Sequence, residues 1–334
     1  MSKDRNKDLS SKVVAIDIGR SGVKLSFYFN GEVSNKFIPS AVIPATTLSF
    51  DPTPEITRQN TVNLYGVDYF VGETAIKQGA VNTVGHNSDW INSLEHRVLV
   101  VKAQQLLLTY GIKPELIVVG LPVNTFASLS GDLAKQIKEY FGHETRVMPI
   151  PQPWGVYQNY LLNDEGSVIT TNNSNAKIAI IDVGHFTTDY MLIDSGTWVQ
   201  NASYSGKGIY ATVDHLQHAL AREGITASHL ECFEVLKTKT IKSYGKLIDK
   251  TKTVTSALDA TLIDIHQNTN RLFSSHARSI DQFIIAGGGS IYLIEAMQEK
   301  WPQLSPASDP RHAVAAGMRK FGLATYKKTA LTGA

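Results

Sequence analysis

Two short stretches of this sequence carry residues that could do chemistry on a phosphate chain. Residues 13–26 read VVAIDIGRSGVKLS, and residues 178–191 read IAIIDVGHFTTDYM. In the first, Asp17 ends an apolar run, Gly19, Arg20, Ser21 and Gly22 make a tight turn, and Lys24 follows. Consecutive backbone N–H groups in such a turn converge on one spot, and glycine lets an anion approach with no Cβ in the way. This is a phosphate cradle, with Lys24 as a point charge for the phosphate tail and Asp17 placed to hold a hydrated Mg2+. In the second stretch Gly184, His185, Thr187 and Thr188 offer backbone and hydroxyl groups to phosphate oxygens, while Asp182 or Asp189 supplies a second carboxylate for the metal or for an attacking water. Either stretch alone reads equally well as an ordinary hairpin. Their joint occurrence predicts a polyphosphate clamped from both sides.

A third element, Phe283-Ile284-Ile285-Ala286-Gly287-Gly288-Gly289-Ser290, reads as strand, glycine turn and helix start. Gly287, Gly288 and Gly289 would let a flat base or an anionic group lie against the backbone. The spacing is not GxGxxG, which argues against a dinucleotide-binding Rossmann site, and no GxxxxGK[ST] phosphate loop occurs in the chain.

The elements that must position these residues repeat. Each copy has a strand ending in Asp, a glycine turn, an alternating segment and a second turn, at Asn30-Gly31 in one and Asp194-Ser195-Gly196 in the other. Both halves therefore open on an antiparallel meander and continue into strand–helix units. The first half predicts helices over Leu94–Tyr110 and Leu129–Phe141, strands over Leu116–Gly120 and Arg146–Ile150, and a helix from near Pro153. The second predicts helices over Ile209–Arg222 and Thr255–Arg278, a strand over Gln282–Ala286 and a helix after Gly289. The result is an α/β fold of two lobes, residues 1–163 and 164–334, each with a mixed sheet flanked by helices. Residues 32–90 read as a subdomain inserted in the first lobe and about 223–275 as a helical insertion in the second. Asn163–Lys177, rich in Asn, Thr and Ser, is the linker candidate.

Composition bounds the function. With 334 residues, 32 Lys+Arg and 30 Asp+Glu, the chain is near-neutral, so nothing global calls for direct nucleic-acid binding or a polybasic membrane contact. The single cysteine, Cys232, rules out an intrachain disulfide framework and fits a reducing, cytoplasmic setting. The start MSKDRNKDLSSK has no apolar signal region, and no run is long enough for a membrane span.

Taken in order, these motifs resemble those of the actin/Hsp70/sugar-kinase superfamily of ATPases over nearly the whole chain. IDIGRSGVK resembles its first phosphate motif, IDVGHFTTD its second and IIAGGGS its adenosine motif. Residues 148–157, MPIPQPWGVY, resemble the first connecting motif, and residues 309–317, DPRHAVAAG, the second, a helix that crosses beside its partner. The resemblance implies a duplicated actin-like, ribonuclease H-like fold with a mixed five-stranded sheet in each lobe and Mg-ATP in a cleft between them. Asp17 would position hydrated Mg2+, Lys24 would contact the β-phosphate, and Asp182 would orient metal-bound or attacking water. Gln152 falls where the family places its catalytic Glu or Gln, although Ile150 can be aligned there instead. Glu234 and Lys237 fall where relatives grip adenine and ribose.

Compact size, the Val147-Met148-Pro149 run and the Gly120–Val123 strand end make the chain most similar to plasmid-segregation actins of the ParM/StbA type and to archaeal actin-like proteins. That resemblance implies an ATP-hydrolysing, head-to-tail filament, with a DNA-binding adaptor protein as partner. The alternatives on the same scaffold are a small-molecule kinase and a nucleotide-binding regulatory scaffold. Outside the motifs, His215 and His218 share a helix face but lack an evident third metal ligand, and the lysines of 237–252 read as a solvated face.

Overall fold

The computed structural model describes residues 9–80, 89–169 and 175–332, the side chains of 331 and 332 excepted. The chain divides into two compact units. The first comprises the described residues of Met1–Leu121, Thr125–Thr170 and His312–Ala334, and the second those of Pro122–Asn124 and Thr171–Arg311.

In the first unit the strands are β1 (Val13–Ile18), β2 (Gly22–Phe29), β3 (Glu32–Pro39), β4 (Val42–Pro44), β5 (Thr61–Leu64), β6 (Val67–Val71), β7 (Leu116–Leu121) and β8 (Arg146–Pro151). Five of them form a sheet in the order β3-β2-β1-β7-β8. Pairing is antiparallel through the β1–β2–β3 meander and parallel from β1 to β7 to β8. Every residue of β1 is buried, as expected of a central strand, paired on both edges and covered by packed helices. The turn from β2 to β3 is made by Asn30 and Gly31, with φ of 51° and 92°, the left-handed pair that a two-residue hairpin requires.

The sequence predicts an insertion over residues 32–90. Glu32–Pro39 instead continue the main sheet as its edge, and the separate three-stranded sheet, β4-β6-β5, follows. Residues 81–88 of that stretch lie outside the described residues. Helix Leu94–Thr109 starts at Ser93, whose hydroxyl accepts from His96 N, and packs on β1, β2 and the inserted sheet. The helix after β7 runs Val123–Phe141, six residues longer at its start than its apolar pattern predicted.

The second unit contains β9 (Lys177–Val183), β10 (Thr187–Asp194), β11 (Thr197–Lys207), β12 (Thr240–Ser243), β13 (Lys246–Asp249), β14 (Gln282–Ala286) and β15 (Leu304–Pro306). Its main sheet runs β11-β10-β9-β14-β15. β9–β10–β11 is an antiparallel meander, and β9, β14 and β15 pair in parallel. Strand order and direction repeat those of the first unit, so the duplication seen in the motifs extends to topology. The stretch read as a helical insertion is helical at both ends, His229–Thr238 and Thr251–Phe273. Between them stands the β12–β13 hairpin.

The chain's last helix, Ala313–Thr332, belongs to the first unit and crosses helix Gln152–Leu161 there. The crossing is close because both helices present glycine. A Cβ on Gly317 would lie 1.7 Å from the Gly155 carbonyl oxygen. Part of the predicted linker is an ordered turn. The Asn163 side chain accepts from Glu165 N and Ser167 N, and buried Arg319 donates to the Asp164 carboxylate at 2.6 Å. Residues 170–174 of that linker lie outside the described residues.

Candidate functional site

In the first unit Asp17 and Lys24 are direct partners across β1 and β2. Asp17 is 2% exposed, and its two oxygens are held by different groups. Lys24 Nζ donates to Oδ2 at 3.1 Å, and Gln152 Nε2 donates to Oδ1 at 2.7 Å. Gln152 is the first residue of the helix that follows Pro151, and the carboxylate, which can only accept, fixes which end of its amide faces Asp17. Gly120, at the end of β7, backs this group. A Cβ there would come within 2.9 Å of Gln152 Cγ and 3.6 Å of Asp17 Oδ1.

The turn between β1 and β2 is closed by Gly19 N donating to Gly22 O at 3.2 Å. A Cβ on Gly19 would meet Lys24 Nζ at 3.0 Å. Ser40 ties the turn from the side, its hydroxyl donating to Gly19 O at 2.6 Å. Trp90 holds the strand end, with Nε1 donating to Ile18 O at 3.1 Å, and its ring lies 5.3 Å from the Arg20 guanidinium carbon. Burial lowers the Arg20 pKa from its ordinary value, yet an arginine keeps its charge. Ser40, Trp90 and Gly120 lie far from the motif in sequence, and no spacing announced them.

The second unit repeats the turn. Gly184 N donates to Thr187 O at 2.8 Å, the bond that Gly19 makes to Gly22. Asp182 and Asp189 pair across β9 and β10 as Asp17 and Lys24 do across β1 and β2. Asp189, left open as an alternative metal or water ligand, is committed to structure. It is 1% exposed and accepts from Val123 N at 2.9 Å, from Thr187 Oγ1 at 2.8 Å and from Ser205 Oγ. Thr188 corrects a second expectation. Its side chain is fully buried and its hydroxyl donates to the Lys207 carbonyl at 2.8 Å, so the hydroxyl is committed to the sheet.

The three glycines come to the end of β9 beside Asp182. Gly287, with φ of +87°, would bring a Cβ within 2.2 Å of Val183 O and 2.5 Å of Asp182 Oδ1, so only glycine fits. Gly289 N donates to Val183 O at 2.9 Å, and Gly288 faces more open space. His185 stacks on Phe233 at 5.0 Å, and Phe186 stacks on Tyr210 at 4.7 Å. Phe233 and Glu234 are consecutive on the helix capped by the Ser228–Glu231 box. Burial raises the Tyr292 phenol above its ordinary pKa, with Arg311 opposing and Glu234 adding to the rise. Lys237 is exposed in the last turn of the same helix. His215 and His218 are exposed, and among the described residues no three His, Cys, Asp or Glu side chains gather to hold a metal ion.

Residues 15–155 match the family model for the N-terminal domain of actin-like proteins. Residues 180–299 match that for the C-terminal domain of the archaeal actin homologue, MreB-like. No curated protein matches the chain. Among solved structures it is similar to the ParM filament subunit from Clostridium botulinum, at 24% identity and TM-score 0.75 over 93% of this chain and 98% of that one. It is also similar to the archaeal actin homologue Ta0583 in complex with ADP, at 21% identity and TM-score 0.66 over 92% and 97%. The ADP-bound MreB5 of Spiroplasma citri matches at 14% and 0.68 over 95% and 98%. Fold and family models agree on the class: the chain belongs to the actin-like superfamily. Its likeness is to the ParM and archaeal actin homologues within that class.

Proposed function

We propose that this protein is a Mg-dependent ATPase that assembles head to tail into filaments and, with a DNA-binding adaptor, moves plasmid DNA in the cytoplasm. The observation that carries the catalytic part is the Asp17 carboxylate held between Lys24 and Gln152. A cation for the phosphates, a carboxylate for a hydrated metal and an amide able to orient water are thereby assembled on three separate elements of one unit.

In this reading the turns at Gly19–Gly22 and Gly184–Thr187 serve one triphosphate, and the Gly287–Gly289 turn takes the adenosine with help from Glu234. Lys24 leaves Asp17 for a phosphate oxygen when nucleotide enters. The Asp17 bond to Gln152 Nε2 leaves Oε1 to accept from a water, so Gln152 positions that water rather than deprotonating it, and hydrolysis is slow. The donor set fits magnesium, because Asp17 and Asp182 offer hard carboxylate oxygens. Oδ2 of Asp17, released by Lys24 as nucleotide enters, would then accept from a water of the ion's shell while Oδ1 stays with Gln152. The bound ion would neutralise charge developing on the phosphates.

Filament formation is supported by likeness to a ParM described as a filament, and adenine nucleotide binding by likeness to two homologues described with ADP. A head-to-tail contact that does not close yields an open polymer. Sedimentation with and without Mg-ATP, alongside phosphate release, tests the reading. ATP-dependent pelleting with phosphate release is expected. Turnover that needs a small acceptor, or nucleotide binding with neither pelleting nor turnover, would replace it.

A further inference from the structure

The first unit contains a cavity of about 810 Å³ to which none of the candidate nucleotide residues contributes. Its walls are the edge strand β3, the end of helix Pro54–Gln59 with the residues just after it, Gly72 and Glu73, and the last two turns of helix Leu94–Thr109. The volume is that of a small-molecule site. Phe37, Ile38, Leu106 and Leu108 give the lining apolar surface, and Lys36 and Arg58 add positive charge.

Lys102 also lines this cavity, and it is only 6% exposed. A buried ammonium is normally paired with a carboxylate, because desolvating an unpaired charge is expensive. Among the described residues the ammonium of Lys102 makes no ion pair. Its hydrogen bond goes to the Gln59 carbonyl, where it also caps the end of helix Pro54–Gln59. One carbonyl uses one of three N–H donors. The single acidic residue in the walls, Glu73, is exposed. Burial lowers the Lys102 pKa from its ordinary value, as it should for a cation lacking a counter-charge.

We propose that this cavity binds a small organic anion, a carboxylate or phosphate monoester carried on an apolar group, with the anionic end on Lys102 and the apolar body against Phe37 and Leu106. The anion supplies the counter-charge that the fold withholds, and the apolar lining selects against bare inorganic ions.

Ligand-observed NMR on the full chain tests this with phenylacetate, phenyl phosphate and the neutral phenethyl alcohol. Ligands of this size bind in the millimolar range. At least one anion should bind and the alcohol should not; which anion binds more tightly separates the carboxylate source from the phosphate source. Lys102→Met should weaken anion binding by about tenfold or more. Leu108→Glu, a change at an exposed wall residue, should also weaken it with the far-UV circular dichroism unchanged, and it stands in if Lys102→Met does not fold. Absence of binding by both anions would overturn the proposal. So would equal binding of anion and alcohol, or anion binding that Lys102→Met, or in its place Leu108→Glu, leaves unaltered.

Discussion

Gln152 and Asp17 come from a helix start and a strand end far apart in the chain, yet Gln152 Nε2 lies 2.7 Å from Asp17 Oδ1. Because the other oxygen of Asp17 is taken by Lys24, the amide is oriented by a group that is itself held in place. Gln152→Ala removes the oriented acceptor without removing the carboxylate or the cation. Phosphate release should fall about a hundredfold, the scale set by losing one positioning contact, while ADP affinity stays within a few-fold. Stopped-flow phosphate release and ADP titration measure the two. A variant that turns over at the parent rate would remove Gln152 from the mechanism.

The Asp17 group was partly legible in sequence. The hairpin was visible because the Asn30-Gly31 turn takes left-handed φ values that few residues adopt, and Gly22 sits where a Cβ would meet the Phe37 ring; duplication gave the second hairpin. Ser40 and Trp90 were invisible, since each reaches the first turn through a tertiary contact that no local period encodes. Edge strand β3 was hidden because only Ile38 in it is buried, and β13 because none of its residues is. A strand without a buried face leaves no alternation to read. Thr188 misled because its hydroxyl is as suited to a carbonyl as to a phosphate, and the sheet supplies the carbonyl.

The helix crossing at Gly155 and Gly317 leaves no room for a methyl group. Gly317→Ala, with its Cβ placed 1.7 Å from a backbone oxygen, should lose about 3 kcal/mol or more. Gly131, inside helix Val123–Phe141, has nothing within 4 Å of its would-be Cβ, so Gly131→Ala should gain up to about 1 kcal/mol. Urea unfolding of the two variants should move in opposite directions.

His96 gives the stability a defined pH dependence. Burial, with Arg97 and Arg20 adding to it, lowers its pKa from 6.5 to about 4. The folded protein keeps the ring neutral, whereas the unfolded chain takes up a proton below about 6.5. This contribution is therefore complete above pH 6.5 and is lost as pH falls toward 4, an order of ~3 kcal/mol. Urea midpoints between pH 4.5 and 7 should rise with pH, and the rise should be shallower in His96→Gln. Equal slopes would assign the effect to other groups.

Arg319 is fully buried, and its partner Asp164 is more than half exposed. Arg319→Ala should cost about 3 kcal/mol, because it breaks the pair and leaves space in the interior, whereas Asp164→Asn should cost less, since Arg319 keeps the Asp164 carbonyl. Thermal melts of both variants check the order, which reverses if the pair acts only at the surface.

A high-resolution structure with Mg2+ and a slowly hydrolysed ATP analogue tests the central claim most directly. The account predicts one triphosphate in hydrogen-bond reach of both the Gly19–Gly22 and the Gly184–Thr187 turns, with Lys24 moved from Asp17 to a phosphate oxygen. A nucleotide bound by one turn alone, or seated away from both with Lys24 still on Asp17, would contradict it.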